Sequence, residues 1–405
     1  MLPQEAHSGV WLLKDIGSPT ALLGCGSCLD SQACGGLHLP NGSAMLTCMD
    51  LCRCADSGTC DLVCPKAPTR FAKRVHEVRG FQLDDIPRRD FDVLPASSGC
   101  VTLIEGRISR RRPIELPDYA AIPLSRAITG RGLQQRAKTR DELVRDHGVL
   151  PRKGWIVTGI EDDRYVERAW RLPKHREVFR SLREAGVVFA TSPNFSLYAD
   201  VPRHDNLHAM KRIAWMWYVM NEAGLPTALH VNGRTSHDFD RWTQFIIDHP
   251  EVTSIAFEFL TGAKLADDSE RYVERLSTLA NRVDRPLTLV LRGSMQLAKR
   301  LEAVFDQVVW LDATPYFKAM HRHVVVPSST GPLRYAPRGG DASAPIGGLF
   351  KSLTMAAQRR YHSYRAETPV TTQRSLDLWP ESAPLNMSTD DEAAQMLLFS
   401  RHPVA

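Results

Sequence analysis

Residues 254–312 read SIAFEFLTGAKLADDSERYVERLSTLANRVDRPLTLVLRGSMQLAKRLEAVFDQVVWLD, and three runs within them, SIAFEF (254–259), LTLVLR (287–292) and QVVWLD (307–312), are short and rich in β-branched or aromatic residues. Runs that are apolar at nearly every position suit strands covered on both faces. Between the first two, Tyr272, Val273, Leu276 and Leu279 recur on one helical face of the stretch from Asp267 to Asn281. Strand, amphipathic helix, strand is the βα unit of a parallel sheet.

The same alternation extends outward. Upstream lie YAAIPL (119–124), GWIVTG (154–159), VVFAT (187–191) and TALHV (227–231), and downstream lies HVVVP (323–327). That makes the eight strands a closed parallel barrel needs. HREVFRSLREAG and NLHAMKRIAWMWYVMNEAG each end in a glycine suited to a helix C-terminus, and TSHDFDRWTQFIIDHP opens with Ser236 as N-cap and stops at Pro250. The expectation is an α/β chain with a TIM-like (β/α)8 barrel over residues 118–330. An open doubly wound sheet is the rival. No GxGxxG follows a first strand and no GxxxxGK[ST] occurs, so neither a dinucleotide fold nor a P-loop has its usual support.

Composition sorts the rest of the 405 residues. Hydrophobic residues at 43% and charged residues at 24% are ordinary globular values that argue against disorder, a coiled coil or a collagen-like chain. Apolar runs fall well short of the roughly 18 residues that span a bilayer, and the N-terminus lacks a basic region followed by a long apolar stretch. A soluble, cytoplasmic chain with no membrane partner is expected. The net charge of +5, from 51 basic and 46 acidic side chains, permits a polyanionic partner without requiring one.

The cysteines are more specific. Of nine, all but Cys100 fall in the pattern Cys25-x2-Cys28-x5-Cys34, then Cys48-x3-Cys52-x-Cys54-x5-Cys60-x3-Cys64-Pro65. Thiolates this dense repel one another unless they hold a soft cation, so residues 1–65 read as a small cysteine-rich metal-binding module preceding the barrel. The Cys64-Pro65 ending points to one or two iron–sulfur clusters of the 4Fe–4S kind, with zinc as the alternative and unmetallated thiols or disulfides third. The spacing is not the CxxxCxxC of radical S-adenosylmethionine enzymes. Residues 66–117 are basic and proline-punctuated, and read as a connector or wrapping arm.

Reactive groups of a barrel lie where its strands end. That rule selects Glu161, Asp162 and Asp163; Ser192, Asn194, Ser196 and Tyr198; His230, Asn232 and Arg234; then Glu258, Arg292, Asp312 and Thr314. Among these, His230, Glu258 and Asp312 are the candidate catalytic residues, and Asn194, Ser196, Asn232 and Arg292 the candidate substrate-binding ones. Glu258 interrupts the apolar run IAFEF, a costly position unless it faces a polar pocket or a partner such as Arg292. Asp312 either does chemistry or caps the next helix, and His230 is either catalytic or a hydrogen-bonded core histidine. Asn194 and Ser196 either hold a polar substrate or form a capping turn.

Residues 331–405 form a basic and aromatic extension expected to pack on the barrel. In GPLRYAPRGG and KSLTMAAQRRYHSYR, the cations Arg334, Arg338, Lys351, Arg359, Arg360 and Arg365 suit phosphates, while Tyr335, Tyr361 and Tyr364 suit base stacking. A solvated helix face has the same composition.

The succession VVFATSPNFSLYADVPRHDNL, a long helix, then AGLPTALHVNG resembles phage- and plasmid-associated proteins with a T-P-D-F-S-x-Y type loop. It is also distantly similar to the barrel of queuine-type transglycosylases. The likeness covers roughly residues 150–315 and implies glycosyl-transfer chemistry at a barrel mouth. Asn194 stands where the loop pattern has an aspartate, and the C-terminal zinc cysteines of the transglycosylases are absent. These readings converge on a metal-cluster-containing enzyme, a transferase or hydrolase acting on a nucleotide, nucleobase or nucleic acid, DNA or RNA, by glycosyl-transfer or acid–base chemistry. The alternative is a noncatalytic nucleic-acid-binding accessory protein ordered by its metal module.

Overall fold

The computed structural model describes residues 77–95, 99–109, 112–197, 203–260, 266–293, 295–326, 333–339 and 344–366, with the two-residue strands Leu37–His38 and Met45–Leu46 paired antiparallel. The eight cysteines from Cys25 to Cys64 lie outside the described residues.

Eight parallel strands follow one another around a ring: β1 (Gly99–Thr102), β2 (Ala120–Pro123), β3 (Trp155–Thr158), β4 (Val187–Thr191), β5 (Thr227–His230), β6 (Ser254–Phe259), β7 (Thr288–Gly293) and β8 (Gln307–Asp312). β1 pairs with β8 in the register Val309↔Gly99 to Asp312↔Thr102. The last seam, between β1 and β2, is a single parallel bridge at Leu103↔Ala121, where the Ile104 amide donates to the Ala121 carbonyl at 2.8 Å. The fold is an α/β, nearly closed TIM-like barrel.

Side-chain alternation separates two cores. Val101, Ala121, Ile156, Phe189, Ala228, Ala256, Val290, Val309 and Leu311 fill the lumen, with small alanines opposite larger side chains. Their strand neighbours Trp155, Leu229, Phe257, Leu291 and Trp310 point outward and pack under the helices.

Besides the single helical turn Leu124–Ala127, the helices described are α1 (Arg140–His147), α2 (Asp163–Trp170), α3 (His175–Glu184), α4 (Arg203–Glu222), α5 (Ser236–Asp248), α6 (Ala266–Val283), α7 (Ala298–Glu302), α8 (Thr314–Met320) and α9 (Gly347–Ala366). Their ends follow capping chemistry. α1 opens with a Thr139–Glu142 capping box and closes on Gly148 at φ 67°, where a Cβ would lie 2.2 Å from the Ser109 carbonyl oxygen. α5 is capped by Thr235, through a box with Asp238, rather than by Ser236 as the sequence suggested. No helix among the described residues is long and apolar enough to cross a membrane.

Residues 77–95 lie over α4 and α5 as a strap. Lys211 of α4, 2% exposed, reaches the Asp85 carboxylate and the Gln82 carbonyl. His208 Nε2 lies 3.1 Å from a Glu77 carboxylate oxygen, Arg241 donates to the Phe81 carbonyl at 2.7 Å, and Phe91 packs edge-on against Trp217.

Two strand assignments differ from the sequence reading. The barrel starts at Gly99, inside the stretch read as connector, because GCVT becomes a strand only when β8 offers it a ladder. HVVVP is not a barrel strand: His323–Val326 pairs antiparallel with Arg334–Pro337 outside the ring, half-exposed along its length. A β-branched run suits an outlying hairpin as well as a core strand.

Phe189 fills the lumen and is fully buried, so Phe189→Ala is expected to lower the unfolding free energy by about 3–5 kcal/mol. Leu133→Ala, at a loop position 91% exposed, is expected to stay within about 0.5 kcal/mol, both read from denaturant unfolding curves.

Candidate active site

Alternation also decides which polar residues face the barrel mouth. Counting by twos from the lumen residues Ala256, Val290, Ala228 and Ile156 places Glu258, Arg292, His230 and Thr158 on the inner side at the C-terminal ends of β6, β7, β5 and β3. From Val101 and Leu103 the same count reaches Glu105, just past β1.

A continuous hydrogen-bonded set joins these positions. The Arg292 guanidinium donates to the Ile160 carbonyl at 2.6 Å and pairs with Glu105 at 2.8 Å. Asn194, in the loop after β4, donates its amide N–H to Glu258 at 3.0 Å and accepts at Oδ1 from the Glu161 backbone amide at 3.1 Å. The Glu161 carboxyl accepts from the Ser125 amide at 2.8 Å and from the Ser125 hydroxyl. Beneath them the hydroxyls of Thr158 and Thr191 lie 3.3 Å apart, and Thr191 accepts from the Gly159 amide.

Three carboxyls therefore gather around Arg292, whose donors reach only one of them directly. Burial pushes the Glu161 carboxyl up to about 7; the Ser125 hydrogen bonds and Arg292 pull the other way, while the Glu105 charge adds to the rise. Burial also raises Glu258, against the pull of Arg292 and the Asn194 hydrogen bond. Both side chains keep partial exposure, so the mouth reaches them. His230 is 1% exposed, and burial drops its pKa to about 3, leaving a neutral imidazole whose nitrogens have no hydrogen-bond partner among the described residues.

Comparison with protein-family models, with curated proteins and with solved structures gave no match.

Of the residues selected from sequence, Asn194, Glu258 and Arg292 meet at the mouth, whereas His230 is buried against Phe257 as a neutral ring, with no side-chain hydrogen bond to them. Asp312 does not join them. It follows Trp310 on the outer face of β8, where its carboxylate accepts from the Thr314 amide at the start of α8 at 2.8 Å. Beside it, burial raises the Cys100 thiol well above its ordinary pKa, and the Asp312 charge adds to the rise. Ser196 donates to Asp163 at 2.6 Å on the exposed rim, and Asn232 ties its loop to the Phe195 carbonyl at 3.1 Å, so these two shape the loops around the site.

The C-terminal cations spread along the barrel wall. Arg334, Arg338, Lys351 and Arg359 are exposed and Arg360 is half-buried. α9 runs from Thr354, bonded to Thr102 at the mouth end of β1, to Tyr361, whose hydroxyl donates to the Val308 carbonyl near the start of β8. Lys351 and Arg359 are thereby separated by about 12 Å along the helix axis. Arg365 lies near the far end of α9. Tyr361 is fully buried and belongs to the core, not to a base-stacking surface. Among the described residues no group of three or more His, Cys, Asp or Glu side chains is arranged to hold a metal ion.

One carboxyl of the site escaped the sequence reading and another was not singled out. Glu105 was hidden because β1 was not recognised. Glu161 stood among the mouth residues, but its distinction comes from Ser125, a contact across 36 positions.

The raised carboxyl sets a sign for stability. Glu161 holds its proton longer in the folded chain, so its stabilising contribution is complete below pH 4.5 and is lost as pH rises toward 7. Glu161→Gln is expected to flatten that part of the pH profile of the denaturation midpoint.

Proposed function

We propose that the chain is an enzyme performing acid–base chemistry at the mouth of its barrel, with Glu161 as the proton carrier and Glu258 as its partner. The observation that carries this reading is one hydrogen-bonded set at the mouth, in which Asn194 joins the Glu258 carboxyl to the Glu161 backbone and both carboxyls are part-exposed and raised by burial. A carboxyl titrating near 7 donates and accepts protons with little penalty at neutral pH. Barrels of this kind are often, though not always, enzymes, and their chemistry sits at this end.

The substrate class proposed is a nucleotide, nucleobase or nucleic acid, and the reaction a glycosyl transfer or hydrolysis. In such a step the bond from sugar to base breaks as Glu161 gives its proton to the departing base, and the Glu258 carboxylate, favoured by Arg292 and Asn194 against the burial that raises it, faces the positive charge developing on the sugar. Water or an acceptor hydroxyl adds to the sugar carbon and returns its proton to Glu161. Asp312, occupied at the α8 terminus, has no part in this scheme.

Incubating the purified protein with nucleosides, nucleotides and oligonucleotides, followed by chromatographic detection of released base, tests the reading. Glu161→Gln and Glu258→Gln are each expected to lose about 10²–10⁴-fold in rate. Unchanged turnover in both variants sinks it.

The N-terminal cysteines are proposed to hold iron–sulfur, with zinc the alternative. Anaerobic purification followed by metal and acid-labile sulfide analysis is expected to find iron and sulfide in equal amounts. Zinc without sulfide would overturn the cluster.

A further inference from the structure

A second feature begins where the mouth ends. Ser125 and Glu161, which bond to each other, lead outward along the chain into two facing walls. From Ser125 the chain reaches a hairpin, Ile128–Thr129 paired with Arg136–Ala137, whose loop carries Arg131 and Leu133. From Glu161 it enters α2, where Arg164, Arg168 and the cap residue Arg171 recur at helical spacing on one face. Between the walls lies an open cavity of about 470 Å³ lined by Arg131, Gln135, Arg164, Arg168 and Arg171, with Glu167 the one acid.

The charge in this groove is poorly balanced. Glu167 is engaged by Arg212 at 2.8 Å. Arg131 and Arg171 are exposed and have no carboxylate partner among the described residues, while Arg164 has only Asp162, at 3.8 Å. Arg168 donates to the Gly130 carbonyl at 2.5 Å and ties hairpin to helix. The loop is fixed: Gly130 has φ 87°, and a Cβ there would lie 2.3 Å from the Gln134 carbonyl oxygen. At its tip Leu133 is 91% exposed, an apolar side chain held out beside the arginines.

We propose that this groove binds the phosphodiester backbone of a single-stranded nucleic acid and leads one nucleotide to the mouth, with Leu133 packing against a base. The proposal rests on the reading of the mouth as the reactive centre and names the form in which its substrate arrives. Guanidinium groups are the usual partners of phosphates, and the three on α2 span about 10 Å along its axis, room for several successive charges of a strand. The groove is open to solvent, as a long chain entering it requires.

Fluorescence anisotropy of a labelled single-stranded oligonucleotide, titrated with the full chain over a range of salt, tests this. Arg131→Glu with Arg171→Glu is expected to weaken binding at least about tenfold and to lower the salt slope by about 1.4, two contacts at about 0.7 each. Arg282→Glu, exposed on α6 between β6 and β7, is expected to leave binding unchanged. Failure of the wild type to bind, double-variant affinity within about twofold of wild type, or an equal loss in Arg282→Glu overturns the proposal. A nucleoside triphosphate that displaces the oligonucleotide at equal concentration also overturns it, and assigns the groove to single nucleotides. Binding is read without turnover, so an unreactive mouth and an unoccupied groove give separate results.

Discussion

The narrow seam between β1 and β2 is the constraint on which the barrel depends. An eight-strand sheet left open would expose two edges of unpaired amides and carbonyls. The Leu103↔Ala121 bridge and the Ile104 amide bond join those edges. The closure also has a chemical effect, because the residue that follows it is Glu105. Arg292, its side chain 8% exposed, would otherwise donate only to a backbone carbonyl, with no carboxylate in direct contact, and a buried guanidinium lacking that partner is costly. Fold and mouth electrostatics therefore close together.

Within the mouth, the placement of the charges matters more than their number. Arg292 directs its donors at Glu105 and Ile160, leaving Glu161 and Glu258 to feel its charge only at a distance. Asn194 then does what an aspartate could not. Its amide presents an acceptor to the Glu161 backbone and a donor to Glu258, whereas a carboxylate there would place like charge against like. The departure from the T-P-D-F-S-x-Y type loop is thus consistent with the neighbours this residue has.

How much of this was legible from sequence depended on whether a signal was local. Glu258 and Arg292 stood out because a charge inside an apolar run is expensive, and the strands from 119 onward carried enough apolar residues to be read alone. GCVT did not, being four residues beside an arginine-rich stretch, and with it went Glu105. HVVVP misled because side-chain preference does not distinguish a barrel strand from an exposed hairpin. Asp312 misled because its face is fixed by Val309 and Leu311 filling the lumen, a three-dimensional fact. The basic groove was invisible for the same reason: its arginines come from two segments that meet only in the folded chain, through Ser125 with Glu161 and Gly130 with Arg168.

The strap at residues 77–95 carries a consequence for the order in which the chain assembles. Its polar contacts bridge long separations, 126 positions from Asp85 to Lys211, 131 from Glu77 to His208 and 163 from Ile86 to His249. As the chain leaves the ribosome, the strap emerges well before the helices it covers. It must wait, solvated, until α4 and α5 exist to receive it. Contacts this distant in sequence incur loop-closure entropy before they contribute stability, which makes them late events in folding. Lys211 therefore stays hydrated through the early stages and loses its water only when the oldest part of the described barrel domain folds back over a much younger one.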